Sequence, residues 1–433
     1  MRPGLRKTVP AWLAVAAILL TACAEETAAP VDDGKATIES YSSDGRRASS
    51  TALEAAAATD PAPVHQAFAF DDYQRRAGGG NTLTAPFDVQ QLLASLAPGA
   101  RGETLQAIAE AGGWPSLADS AAAEILAGLS LWEQRIDGLD GIERQRWLWG
   151  QSGYRFDRDY LRTQAELFGP AMSGVDFRGV FFLARDAVER ALDGRLVLED
   201  IDVRSRLVLA QTTRLQAAWP DVLTVEPFEG RFGEHEQQRR MPMLRIGGEL
   251  ALAEGEDYRA VAVPLAEDGL SLLVITPAAG RFDALRGRLD TAFWHQLMAD
   301  LTPAQATLNL PVFSLQRALI DEDLPGLGVA LNEAQADFSP VNGAGFLYLE
   351  PLRQSIELQL GEAGVSATTA TAAVHTSTRD EPADLFSPIE GVAAMASLLL
   401  HQFLNFRSGM TRIPVTFRRT SAPSFLPSTT AAR

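Results

Sequence analysis

Residues able to do chemistry are few in this chain. Its five histidines, His65, His235, His295, His375 and His401, share no spacing that would set two imidazoles on one helix face around a metal. Glu234-His235-Glu236 has the make-up of a charged, solvated loop. His295 follows Trp294 in a helical pattern and reads as a partly buried structural residue. No Gly-x-Ser-x-Gly elbow and no phosphate-cradling glycine loop occurs, so the chain is not expected to be an enzyme or to need a metal or cofactor. The single cysteine, Cys23, has no partner for an internal disulfide.

The remaining candidate is a segment whose chemistry would be conformational. Gly361-Glu-Ala-Gly-Val-Ser-Ala-Thr-Thr-Ala-Thr-Ala-Ala-Val374 follows the alternating strand Ser355-Ile-Glu-Leu-Gln-Leu360 and precedes His375-Thr-Ser-Thr-Arg-Asp380. It holds no proline until Pro382, so all its backbone N–H groups are free to join a sheet ladder. Its β-branched residues favour strand, but nothing in it is apolar enough to hold a core alone. At period two, Val365, Ala367, Thr369, Thr371 and Ala373 share one face, and side chains this small would slide between two strands without overpacking. Gly364 stands where the chain would fold back, a position glycine tolerates best. By composition alone the stretch reads as an Ala/Thr-rich linker or stalk.

The elements that would position this segment lie between two chain ends of different character. Arg2, Arg6 and Lys7 form a basic region and Ala11 to Leu20 an apolar one too short for a stable membrane span. Leu20-Thr-Ala-Cys23 then resembles a bacterial lipobox, with residues 1–22 as signal peptide and Cys23 as the lipidated first mature residue. Ala24 rather than aspartate follows, which points to export and anchoring at the outer membrane, on its periplasmic or surface face. Residues 23–62 are poor in large apolar side chains and are expected to be a disordered tether. About 40 such residues would reach roughly 35 Å from the anchor.

Net charge is −17, and the only lysines are Lys7 and Lys35, so the presumed domain carries arginine as its basic residue. An acidic balance without a basic patch argues against nucleic-acid binding. The stretch between the ends shows neither an internal repeat nor an inter-domain linker, which fits one large globular domain.

A Glu, then Gly, then a run of Ala and Thr resembles the hinge and reactive-centre loop of the serpin family. Asn81-Thr-Leu-Thr-Ala-Pro-Phe-Asp-Val-Gln-Gln-Leu-Leu-Ala-Ser-Leu-Ala-Pro-Gly-Ala-Arg-Gly-Glu-Thr-Leu105 is similar to that family's N-terminal signature, with Ala85 in place of the serine before Pro86. Further matches keep the family's order: Leu148 to Tyr154, Val175-Asp-Phe177, Trp219, Val261 to Leu265, Leu270 to Pro277, Leu308 to Phe313, Ala336 to Ser339, and a closing strand from Thr411 to Pro423. The resemblance implies an α+β chain of three β-sheets with eight or nine helices and an exposed reactive-centre loop. It places the serpin domain at residues 63–425 and a tail at 426–433.

It also implies a function: suicide inhibition of a serine, or sometimes cysteine, protease. The protease attacks the loop, an acyl-enzyme forms, and the freed loop inserts into the central sheet before water can release it. In inhibitory members the scissile bond usually follows the seventeenth residue counted from the hinge glutamate. With Glu362 as that residue, the bond is Thr378–Arg379, which suits elastase- or subtilisin-like proteases. One extra residue would move it to Arg379–Asp380 and favour trypsin-like ones. The protein is expected to act as a monomer.

Several departures bear on competence. The family's Asn-x-Trp-Val helix reads Arg185-Asp-Ala-Val-Glu-Arg190, and the strand before Trp219 reads Gln211-Thr-Thr-Arg-Leu-Gln-Ala217. About ten extra residues, including Val392 to Leu400, precede the closing strand; the family's usual Pro-Phe pair after the loop is absent, with His401-Gln-Phe403 nearby, and Arg418 stands where a glycine is typical. A membrane-tethered inhibitor and a non-inhibitory serpin-fold binding lipoprotein both remain open at this point.

Overall fold

The computed structural model describes residues 39–40, 46–57, 60–78, 80–117, 119–232, 239–321 and 324–378. Cys23, Arg379, the closing strand and the C-terminal tail lie outside them, as do His235, His401 and Arg418.

Among the described residues the helices are α1 (Ser50–Ala56), α2 (Ala62–Arg76), α3 (Pro86–Leu96), α4 (Gly102–Ala111), α5 (Asp119–Asp137), α6 (Arg158–Phe168), α7 (Phe177–Ala191), α8 (Phe282–Arg286), α9 (Thr291–Asp300), α10 (Gly328–Leu331) and α11 (Ser339–Asn342). Three of these, α8, α10 and α11, are single turns, which accounts for the excess over the expected eight or nine.

Among the described residues one sheet of eight strands organises the fold. Its strands are β1 (Glu39–Ser40), β2 (Ile142–Gln151), β3 (Met172–Val175), β4 (Ser205–Ala217), β10 (Phe313–Asp321), β11 (Leu347–Leu349), β12 (Leu352–Gly361) and β13 (Gly364–Ser377). They run β1-β3-β2-β4-β13-β12-β10, with β11 continuing the β12 edge of β13. Only the β2–β3 pair is parallel. A second sheet holds β5 (Thr224–Phe232), β6 (Arg239–Glu254), β7 (Tyr258–Pro264), β8 (Ser271–Pro277) and β9 (Thr302–Pro311).

Where three sheets are expected, the described residues form two, because β6 is long enough to serve both of the smaller ones. Its first half pairs with β5 as far as Gly247, and its second half pairs with β7 from Ala251. Gly248 lies between them at φ +150°, where an added Cβ would press on Leu223.

Each face of the large sheet has its own core. On one face α3 is buried over nearly its whole length from Asp88 to Leu96, packed with Leu148, Leu207, Leu209, Leu347, Phe338 and Ala373. Pro86 starts α3 at a position where its missing N–H costs nothing. On the other face, Ala184, Val188 and Leu192 of α7 and its continuation cover Trp149, Val208, Ala210 and three residues of β13. The helix expected to depart from the family at Arg185–Arg190 is thus formed, with a non-helical residue at Val180 near its start.

Two expectations are corrected here. The tether does not run unstructured to residue 62: Ser49 caps α1 by accepting from the Ala52 amide, and Leu53 is buried against Ala127 and Leu131 of α5. Arg47 adds ion pairs to Glu133 at 3.4 Å and Asp137 at 3.1 Å. Low average hydrophobicity conceals one leucine and one arginine that find a preformed helix face. His295 is exposed on α9, while Leu297 is the residue of that helix that is buried.

Candidate functional site: the inserted strand

The segment read as a switch is a strand in the middle of the large sheet. A two-residue turn, Glu362-Ala363, joins β12 to β13, with Gly361 facing Gly364 across the hairpin. Gly364 has φ +131°, and a Cβ there would run into the Ala217 carbonyl oxygen of β4. No other residue passes this close to a neighbouring strand at such a dihedral without strain. Trp219 fixes the turn by donating its indole N–H to the Gly361 carbonyl at 2.9 Å.

From that turn β13 is laddered on both edges. Val365 to Thr376 pair with Ala217 to Ser205 of β4. On the other edge β12 pairs as far as Ala372, and β11 takes over from His375 to Ser377. The backbone hydrogen bonds of the segment are therefore made within the sheet, which satisfies groups that would otherwise be buried without partners. The segment expected to be an exposed loop is, up to Ser377, interior strand.

Alternation sorts its side chains as period two requires. Val365 packs with Ala217, Trp219 and Leu360, Thr369 meets α3, and Ala373 joins the core beneath that helix. Ala370, Ala372 and Val374 take the opposite face beneath α7. Ala367 and Ser366 are half-buried, Thr371 is buried, and Glu362 is exposed at the turn. Small side chains are what the site demands, since both layers are already filled.

One acidic side chain ties the strand to its neighbours. Asp88, buried in the first turn of α3, accepts hydrogen bonds from Thr369 of β13, from Thr213 of β4 at 2.6 Å and from Gln211 of β4 at 3.3 Å. Gln211 also donates to the Asp88 carbonyl at 2.7 Å. Arg144 of β2 extends the network by donating to the Thr213 hydroxyl at 3.2 Å. A buried carboxylate with several donors is a strong fastening, and one of those donors belongs to β13.

At the far end His375 is buried and meets the Phe338 ring edge-on, with centroids 4.7 Å apart. Burial pushes its imidazole down to about 3, only partly offset by a hydrogen bond with the Leu207 backbone. The Ser377 amide donates to the Arg204 carbonyl at 2.9 Å and the Thr378 amide to the Phe346 carbonyl at 2.8 Å. Thr378 is the last described residue, so Arg379, its partner in the expected reactive bond, lies outside the description.

Glu362, Gly364, Val365, Ala367, Thr369 and Thr371 thus stand in one hairpin, within the turn or along β13. Asp88, Thr213 and Gln211 were not assigned a role from sequence, although each lies in a stretch noted for its family pattern or its departure from it. The available signal was an acid among the apolar and amide side chains of Phe87 to Leu96. Among the described residues no group of three His, Cys, Asp or Glu side chains is placed to hold a metal.

Comparison with known proteins supplies the context. The family described as Serpin (serine protease inhibitor) matches residues 64–387. An uncharacterized serpin-like protein of Thermococcus kodakarensis is 26% identical over 70% of this chain and 74% of its own length. Plasminogen activator inhibitor 1 of Bos taurus is 25% identical over 70% of this chain and 80% of its own. Among solved structures, reactive loop cleaved human thyroxine binding globulin superposes with a TM-score of 0.64 at 18% identity, covering 73% of this chain and 98% of that one. At that identity the likeness concerns fold.

Proposed function

Because this chain belongs to the serpin family, we propose that it inhibits a serine protease by offering residues 362–379 as bait and then burying residues 364–377 as β13. The observation that carries this reading is that β13 is laddered on both edges, by β4 on one side and by β12 and then β11 on the other. A loop that remained at the surface for binding alone would not need small residues on both faces, a glycine at Gly364 or a threonine aimed at Asp88.

The steps are those that serpin membership implies, written on this chain's residues. The protease serine oxygen adds to the Thr378 carbonyl, the Thr378–Arg379 bond breaks, and Arg379 departs as a new N-terminus with the proton. Thr378 is then held as an ester on the protease. The freed strand advances from the Gly364 turn, and thirteen rises of about 3.3 Å carry its end roughly 43 Å along the sheet. The protease is attached to that end, so insertion drags it against the far pole. Distortion of its oxyanion hole removes stabilisation that ester hydrolysis needs.

A threonine at the attacked carbonyl suits a protease with a small specificity pocket, of elastase or subtilisin type. The Leu20-Thr-Ala-Cys23 pattern supports export and a lipid anchor at a bacterial outer membrane, which would hold the inhibitor near the surface it guards. Incubation with such a protease is expected to give an SDS-stable complex. Val365→Arg puts a charge into the pocket formed by Trp219, Ala217 and Leu360, and is expected to turn the inhibitor into a substrate that is cleaved and released. Retention of full inhibition by that variant would remove the hinge assignment. Cleavage without any complex in the unaltered protein would favour the non-inhibitory binding role.

A further inference from the structure

We propose that His375 makes the last stage of strand insertion sensitive to pH, so that acid conditions turn the trap toward release of its protease. This inference rests on the insertion reading given above. Counted back from Thr378, His375 is the fourth residue, so most of β13 must be in place before its ring is buried.

The surroundings of the ring in the inserted strand are apolar. His375 is 1% exposed and sits between Leu207 of β4 and Leu349 of β11. Leu347 of β11, Phe338 and Val341 complete the same core face. Charged or titratable groups lie on each of these elements but are engaged elsewhere. Arg206, next to Leu207, donates to the Val203 and Ser205 carbonyls, both at 3.0 Å. Arg204 pairs with Asp202 at 3.3 Å. Glu350, just past β11, accepts from the Tyr348 hydroxyl at 3.0 Å. Asp337, beside Phe338, accepts from the Ser339 amide at 3.0 Å. The Tyr154 hydroxyl accepts from Asn342 at 2.6 Å. The ring's polar contact is with the Leu207 backbone, and its Nδ1 has no hydrogen-bond partner.

The sign follows from these surroundings. On the insertion reading the segment is solvated beforehand, and a solvated imidazole takes up a proton near its ordinary value of 6.5. In the inserted strand the same group stays neutral until about 3. Insertion therefore requires loss of the proton at any pH between these values, and below 6.5 each further unit shifts the equilibrium about tenfold toward the solvated strand. Above 6.5 the group is neutral in both states and has no effect. Because the ring enters late, the acid effect falls on completion of the trap rather than on its first residues.

The test uses the mature protein cleaved in its loop, and compares the unaltered chain with His375→Gln and, should the amide block insertion, with His375→Leu. Guanidinium unfolding of each is followed at pH 7.5 and pH 5.0. The folding equilibrium of the unaltered cleaved form, relative to the variant, is expected to fall roughly thirtyfold between the two pH values. In parallel, the ratio of SDS-stable complex to cleaved product is expected to drop in acid for the unaltered protein and to hold for the variant. Parallel pH profiles in protein and variant would overturn this inference while leaving inhibition intact. If cleavage raises the unfolding midpoint of neither protein at pH 7.5, insertion itself is excluded and both readings fall.

Discussion

Asp88 is the residue on which the inserted state is most exposed to test. Its carboxylate serves Thr369, Thr213 and Gln211, but only Thr369 arrives with β13. Asp88→Ala would leave the Thr369 and Thr213 hydroxyls without their acceptor, while Gln211 keeps the backbone carbonyl of residue 88, and is expected to destabilise the loop-cleaved form by about 2–4 kcal/mol. Thr369→Val removes the one donor that moves. A double-mutant cycle between the two should therefore show a coupling of about 1–2 kcal/mol in the cleaved protein and none in the intact one, read from denaturant midpoints. Equal coupling in both forms would mean that Thr369 is already in place before cleavage. Sequence alone brought out Gly364, because a small-residue run after an alternating strand needs a fold-back residue. Asp88 was not brought out, because its partners come from strands more than a hundred residues away.

At the scale of elements, the β12–β13 hairpin was legible because two signals agree there: strict alternation in Ser355 to Leu360 and a glycine at the turn. The start of α3 was legible from Pro86 within the Asn81 to Leu105 pattern. The segment before α2 was not. Its composition says disorder, and only the α5 face it packs on reveals that Leu53 and Arg47 have partners. Leu53→Ala is expected to cost about 2 kcal/mol or more, measured as a lower denaturant midpoint of the intact protein. No change in midpoint would return residues 46–57 to the role of a simple tether. In the second sheet β6 serves two partners in succession, and nothing in its local pattern announces that it passes from one to the other.

At the scale of the whole molecule, the described residues form a large sheet whose interior strand β13 is the segment that the proposed function offers to a protease. Membership of the serpin family accounts for the order of elements, and the double ladder accounts for what the small residues are for. The family order was readable from scattered motifs that follow one another in sequence. The position of the loop was not, because a segment able to be either strand or loop carries no local preference strong enough to decide. The measurement that tests the account most directly exposes the purified protein to an elastase-like protease, resolves the products on SDS gels, and takes the mass of the released peptide. The account predicts a covalent complex, a C-terminal peptide beginning at Arg379, and a cleaved form with a markedly higher unfolding midpoint. Clean cleavage in the loop with no complex and no rise in midpoint would contradict it.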